Sequence, residues 1–137
     1  MVRSLLHTHR MRKSKVLLVD DDPRLSRTIK VFLERLGPFE VREVNKPATA
    51  CLAALDFRPN LIILDVDMPG MDGGDVHRAL SAEPALRETP IAFLSGLVGA
   101  KEAGKRDGTH YFSKPVDPGA LVRAIHQILV DAECLAA

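Results

Sequence analysis

The sequence predicts an α/β fold, a doubly wound parallel sheet with helices on both faces. From Lys15 onward, short apolar runs rich in branched residues alternate with amphipathic segments of helical period, which is the rhythm of consecutive βαβ units. A chain of 137 residues is the size of one domain, long enough to bury a substantial core but with little room for a second folded unit. Lysine and arginine number 19 against 18 acids, so there is no global basic field of the kind that drives binding to nucleic acid or to a membrane surface.

Five strands follow in order. Residues 16–19 are fully apolar and branched, as a central parallel strand requires, whereas 39–44 are mixed, like a strand near an edge. Residues 61–64 and 91–94 repeat the first pattern, and 109–112 give a weaker fifth strand. Leu25, Ile29, Phe32, Leu33 and Leu36 recur at helical spacing, and Gly37-Pro38 supplies the stop. Residues 48–55 form a second helix and 75–81 a third. A fourth runs from 118 to about 132, with Leu121, Val122, Ile125, Ile128 and Leu129 as its buried stripe. The Gly-rich, polar segment 96–108 is expected to hold at most a short helix.

Residues 1–14 read as a basic tail without fixed structure, 15–134 as the folded domain and 135–137 as a short C-terminal tail. The first fifteen residues carry five basic groups and no acid, but their apolar run is only Leu5-Leu6, too short for a signal-peptide core or a membrane span. His7 and His9 read as solvated. Cys51 and Cys134 lie in apolar helical patterns without metal-ligand spacing, which suits free thiols in a reducing, cytoplasmic setting.

In open parallel sheets ligands bind beyond the carboxyl ends of the strands, where strand order reverses. Strand one ends in Asp20, Asp21 and Asp22, strand three in Asp65 and strand four in Ser95, while strand five is followed by Lys114. Adjacent carboxylates repel, so the triplet needs a cation, backbone donors or solvent. Asp22 directly precedes Pro23, and Asp at the N-cap with Pro at the first helical position marks a helix start. Asp22 is therefore assigned to the helix. The other rim carboxylates suit a hard divalent cation that keeps waters for a phosphate to displace, and the hydroxyl and ammonium suit the phosphate. A rim carboxylate is then a candidate nucleophile for aspartyl phosphate formation, with the metal and Lys114 neutralising the developing charge.

Taken in order, VLLVDDDP, LIILDVDMPGMDG, FLSG and YFSKP resemble the receiver domains of bacterial response regulators in two-component signalling, over about residues 15–132. The resemblance implies a five-stranded flavodoxin-like sheet of order 2-1-3-4-5. It implies Asp65 as phosphoacceptor, Asp21 as direct metal ligand with Asp20 acting alongside it through water, and the backbone carbonyl of Asp67 as a further ligand. Ser95 matches the switch hydroxyl, Lys114 the motif lysine and Tyr111 the aromatic that swings inward when the hydroxyl moves. Mg²⁺ or Mn²⁺ is the implied cofactor. The implied partners are a histidine kinase or phosphotransfer protein and a downstream protein target, with neither nucleic acid nor membrane bound directly. Asp67 and Leu97 correspond to positions that tune phosphoryl lifetime in the family.

The short span between Ser95 and Lys114 departs from the family pattern and implies a truncated or irregular fourth helix, so phosphorylation is expected to loosen or reorder 96–108 and to present a face built from strand five and the last helix. The expected protein is a stand-alone signalling switch, catalysing only its own phosphorylation and dephosphorylation. Two alternatives exist. LIILDVD also presents the Asp-x-Asp of haloacid-dehalogenase-type phosphatases at Asp65 and Asp67, but there the motif opens the fold and the acidic site comes later. A receiver-like interaction module without phosphorylation is opposed by the intact Asp20, Asp21, Asp65, Ser95 and Lys114.

Overall fold

The computed structural model describes residues 12–66, 73–96, 104–106, 109–114 and 117–136. The chain forms β1 (Ser14–Val19), α1 (Pro23–Leu36), β2 (Phe39–Val44), a 3-10 turn (Pro47–Thr49) leading into α2 (Ala50–Phe57), β3 (Leu61–Asp65), α3 (Gly73–Ser81), a second 3-10 turn (Pro84–Leu86), β4 (Ile91–Ser95), β5 (Gly104–Arg106), β6 (Thr109–Ser113) and α4 (Pro118–Ala136). Most of the basic stretch at the amino terminus, residues 1–11, lies outside the described residues.

The sheet order is β2-β1-β3-β4-β6-β5. Its five parallel strands, β2-β1-β3-β4-β6, have the doubly wound order expected from the sequence. After β1 the chain first builds outward to β2 and then returns to place β3 on the other side of β1. The reversal therefore falls between the carboxyl ends of β1 and β3, which carry the acidic residues.

Of the segment 96–108, expected to hold at most a short helix, the structure describes residues 96 and 104–106. Gly104–Arg106 forms a strand that the sequence reading did not anticipate, antiparallel to β6, in the register Gly104 to Tyr111 and Arg106 to Thr109. In the sequence Asp107-Gly108 falls between these two strands, and Asp-Gly between extended segments is a hairpin signal. The last helix also outruns its expected end, because 131–136 hold good helix formers and neither Gly nor Pro.

Side chains alternate across the central strands, and both faces are buried. Val16 and Leu18 of β1, Leu61 and Ile63 of β3, and Ala92 and Leu94 of β4 pack under α1 and α4 with Ile29, Leu33, Leu121, Ile125 and Ile128. Leu17, Val19, Ile62, Leu64 and Phe93 face the other way, toward Ala50, Ala54 and Phe57 of α2 and Val76 and Leu80 of α3. Burial on both faces explains the near-continuous apolar runs.

Helix α1 starts where Asp22 Oδ1 accepts from the backbone N–H groups of Arg24 (3.0 Å) and Leu25 (3.4 Å), with Pro23 in the first turn. Gly37 ends it in an extended conformation, and a Cβ there would stand 2.5 Å from the Phe39 ring. Close approach, rather than a left-handed turn, requires the glycine. At the open edge of the sheet, Val41 of β2 is bonded through both backbone groups to α1. Its N–H donates to Glu34 Oε2 (3.0 Å), and its carbonyl accepts from Lys30 Nζ (2.7 Å). These bonds blunt an edge that would otherwise offer pairing to another strand.

Candidate functional site

Four strand ends form the rim. Asp20 follows β1, Asp65 and Ser95 are the last residues of β3 and β4, and Lys114 follows β6. Asp20, Asp65 and Ser95 are buried, at 0%, 2% and 2% exposure, while Asp21 is partly exposed. Among the described residues, Asp20, Asp21 and Asp65 form one acidic cluster in which an oxygen from each lies within 4.8 Å of the others. Lys114 Nζ donates to Asp65 Oδ1 at 3.1 Å, and the Lys114 backbone N–H donates to the Ser95 carbonyl at 3.0 Å. The ammonium is thereby held over the acidic cluster from the far side of β4.

Asp20 is fixed from several directions. Its backbone N–H donates to the Val44 carbonyl (3.0 Å), its own carbonyl accepts from Asn45 Nδ2 (2.7 Å), and its Oδ1 accepts from the Asp22 N–H (2.9 Å). The other carboxylate oxygen, Oδ2, is buried and takes no hydrogen bond. Burial pushes the Asp20 carboxyl up from its ordinary 3.8 to about 7; the Asp22 N–H opposes the rise, and the nearby Asp65 carboxylate adds to it. A buried, unbonded oxygen within a set of carboxylate donors fits a hard divalent cation, which takes oxygen ligands and compensates clustered negative charge.

The aspartate triplet is divided as its position before Pro23 predicts: Asp22 caps α1, and Asp20 and Asp21 turn to the rim. Tyr111 lies on β6 opposite Phe93 of β4, with ring centroids 5.6 Å apart, and Phe93 stands 5.3 Å from the His77 ring of α3. Asp67, whose carbonyl the family resemblance implies as a ligand, lies outside the described residues, as does Leu97.

Sequence reasoning missed a polar chain behind the rim. Asn45 Nδ2 also donates to Ser26 Oγ (2.9 Å), Ser26 Oγ donates to Glu43 Oε2 (2.9 Å), and Arg27 Nε donates to Glu43 Oε1 (2.8 Å). One signal was present. Ser26 occupies the same helical stripe as Ile29 and Leu33 and is fully buried, and a polar residue in a core stripe implies a buried partner. The rim is also distinct from a cleft of about 500 Å³ lined by Arg58, Asn60 and the 84–89 turn, which lies near the amino ends of β3 and β4.

Comparison with known proteins adds the family. Residues 16–126 match the response regulator receiver domain. The DNA-binding response regulator MtrA of Mycolicibacterium smegmatis is 33% identical over 119 residues, covering 82% of this chain and 49% of that protein. Response regulator Rre1 of Synechocystis is 32% identical over 117 residues, covering 83% and 51%. The chain thus spans about half the length of these curated relatives. Among solved structures, the chemotaxis protein CheY4 of Vibrio cholerae superposes with a TM-score of 0.74 at 27% identity, covering 85% of this chain and 98% of that one. A response regulator from Desulfuromonas acetoxidans gives 0.71 at 27%, covering 85% and 96%.

Proposed function

Because the chain belongs to the response regulator receiver domain family, whose members are signalling switches of two-component systems, we propose that Asp65 accepts a phosphoryl group from a histidine kinase or phosphotransfer protein and that the reaction requires Mg²⁺ or Mn²⁺. The acidic cluster of Asp20, Asp21 and Asp65, with Lys114 bonded to Asp65, is the observation that carries this reading.

In the reaction, a carboxylate oxygen of Asp65 forms the new P–O bond. The P–N bond of a phosphohistidine donor breaks, its electron pair stays on the imidazole nitrogen, and solvent returns a proton there. Asp20, Asp21 and Asp65, with the Asp67 carbonyl that the family resemblance implies, would hold a divalent cation, which when bound would supply positive charge to offset that of the incoming phosphoryl group. Lys114 exchanges part of its bond to Asp65 for one to the phosphoryl group, and Ser95 donates to another phosphoryl oxygen. Movement of Ser95 opens room for Tyr111 to turn inward, which changes the surface offered to a downstream protein. The domain acts in the cytoplasm. Among the described residues no helix is long and apolar enough to cross a membrane.

Incubation with acetyl phosphate, with Mg²⁺ or with EDTA, followed by intact mass, tests the reading. One added phosphoryl group that needs metal and is lost in Asp65→Asn is expected. Undiminished labelling of Asp65→Asn places the nucleophile elsewhere, and labelling in EDTA removes the metal requirement.

A further inference from the structure

We propose that Asn45 is a positioning residue of the metal site, setting the Asp20-Asp21 peptide from behind; this rests on the reading of Asp20 and Asp21 as metal ligands. Asn45 belongs to none of the rim strands. It stands just past the end of β2, and from there its amide bonds the carbonyl of Asp20 at 2.7 Å while the preceding residue, Val44, accepts from the N–H of Asp20 at 3.0 Å. Both backbone groups of Asp20 are thus held by two consecutive residues. The Asp20 carbonyl belongs to the peptide that leads into Asp21, so its orientation sets where the Asp21 side chain departs.

The amide is itself oriented. A primary amide carries two N–H donors, and here they are shared between the Asp20 carbonyl and Ser26 Oγ at 2.9 Å. Ser26 Oγ accepts that bond and donates its own hydroxyl hydrogen bond to Glu43 Oε2 at 2.9 Å in preference to the Pro23 carbonyl at 3.3 Å, and Glu43 is held in turn by Arg27. Donors and acceptors alternate along the chain, so the amide has one satisfied orientation, with its nitrogen toward Asp20. Ser26 is fully buried and the Glu43 side chain is 11% exposed, so water competes little for these bonds. Outer-shell partners of this kind orient ligands and change metal affinity without touching the metal.

The test is Mn²⁺ binding, read from the electron paramagnetic resonance signal of free Mn²⁺, in the full chain and in Asn45→Ala, Ser26→Ala and Asn45→Asp, with melting in EDTA as the measure of folding. Asn45→Ala is expected to weaken Mn²⁺ binding by about three- to tenfold, and Ser26→Ala by less, since the Asp20 bond survives it. Asn45→Asp keeps the shape, removes the donor and adds a negative charge. A purely electrostatic influence tightens binding in that variant, whereas loss of positioning weakens it. Glu34→Ala is the control: it removes hydrogen bonds to β2 and lowers stability far from the rim, and is expected to leave Mn²⁺ affinity unchanged. Wild-type affinity in Asn45→Ala, tighter binding in Asn45→Asp, or equal weakening in Glu34→Ala overturns the positioning role alone. Absence of Mn²⁺ binding in the unaltered protein overturns both the role and the metal-site reading.

Discussion

Replacing Asp20 by Asn is expected to stabilise the metal-free protein above neutral pH while removing its response to Mg²⁺. Asp20 is fully buried beside Asp65, and its carboxyl is pushed from 3.8 to about 7 in the folded state, chiefly by burial. At about 1.4 kcal/mol per pH unit, holding that group ionised in the fold costs about 4 kcal/mol relative to the unfolded chain. Asparagine carries no charge, still accepts from the Asp22 N–H, and puts an N–H donor where the unbonded Oδ2 stood. After allowance for relaxation around the ionised group, a gain of about 2–4 kcal/mol at pH 8 is expected. The sign follows from the direction of the shift. A folded-state pKa above the unfolded one means that the wild type has its full stability from this group below about pH 4 and loses it as pH rises through 7. The advantage of Asp20→Asn is therefore small at pH 4, grows between pH 4 and 7 and is level above. Urea unfolding in EDTA at pH 4, 5, 6, 7 and 8 measures it. Saturating Mg²⁺ is expected to raise the wild type and leave the variant where it was. A difference independent of pH, or a destabilised variant at pH 8, refutes the reasoning that burial of an ionised Asp20 strains the free fold.

The parallel core of this fold was legible because burial on both faces leaves a strong mark: 16–19 and 61–64 are uninterrupted apolar runs, and those residues alternate between two core clusters. The residues of the acidic cluster were legible because ligand-binding side chains sit at strand ends, which such runs locate. Asp22 was separable from its neighbours because Pro23 fixes the helix start. The strand at Gly104–Arg106 leaves little mark in the sequence, since three residues carry no periodicity and they lie within a Gly-rich, polar segment. Asn45 escaped for a different reason. Its role depends on β2 lying beside β1, so that Asn45 reaches Asp20 across 25 positions of chain. No local pattern encodes that contact, although the buried Ser26 hinted at one end of it.

Asp22→Ala is expected to cost about 0.5–2 kcal/mol through loss of the helix cap, leaving most of the Mg²⁺ affinity, whereas Asp21→Ala lowers that affinity strongly. Metal titration beside thermal melts separates them, and equal loss of affinity in both variants contradicts the division of the triplet. Tyr111 gives a site-specific reading of the switch, because the chain has one tyrosine and no tryptophan. Its backbone is paired with Phe93 on one side and Gly104 on the other, and its ring rests against Phe93. Strand pairing on both edges resists movement of the main chain, so the response to a phosphoryl mimic is expected in the side chain. Beryllofluoride with Mg²⁺ should change tyrosine emission and its quenching by acrylamide, the change should be lost in Ser95→Ala, and amides of 109–113 should keep their exchange protection. Unchanged emission rules out Tyr111 as the moving group. Loss of protection along β6 shows instead that the pairing of β5 with β6 opens.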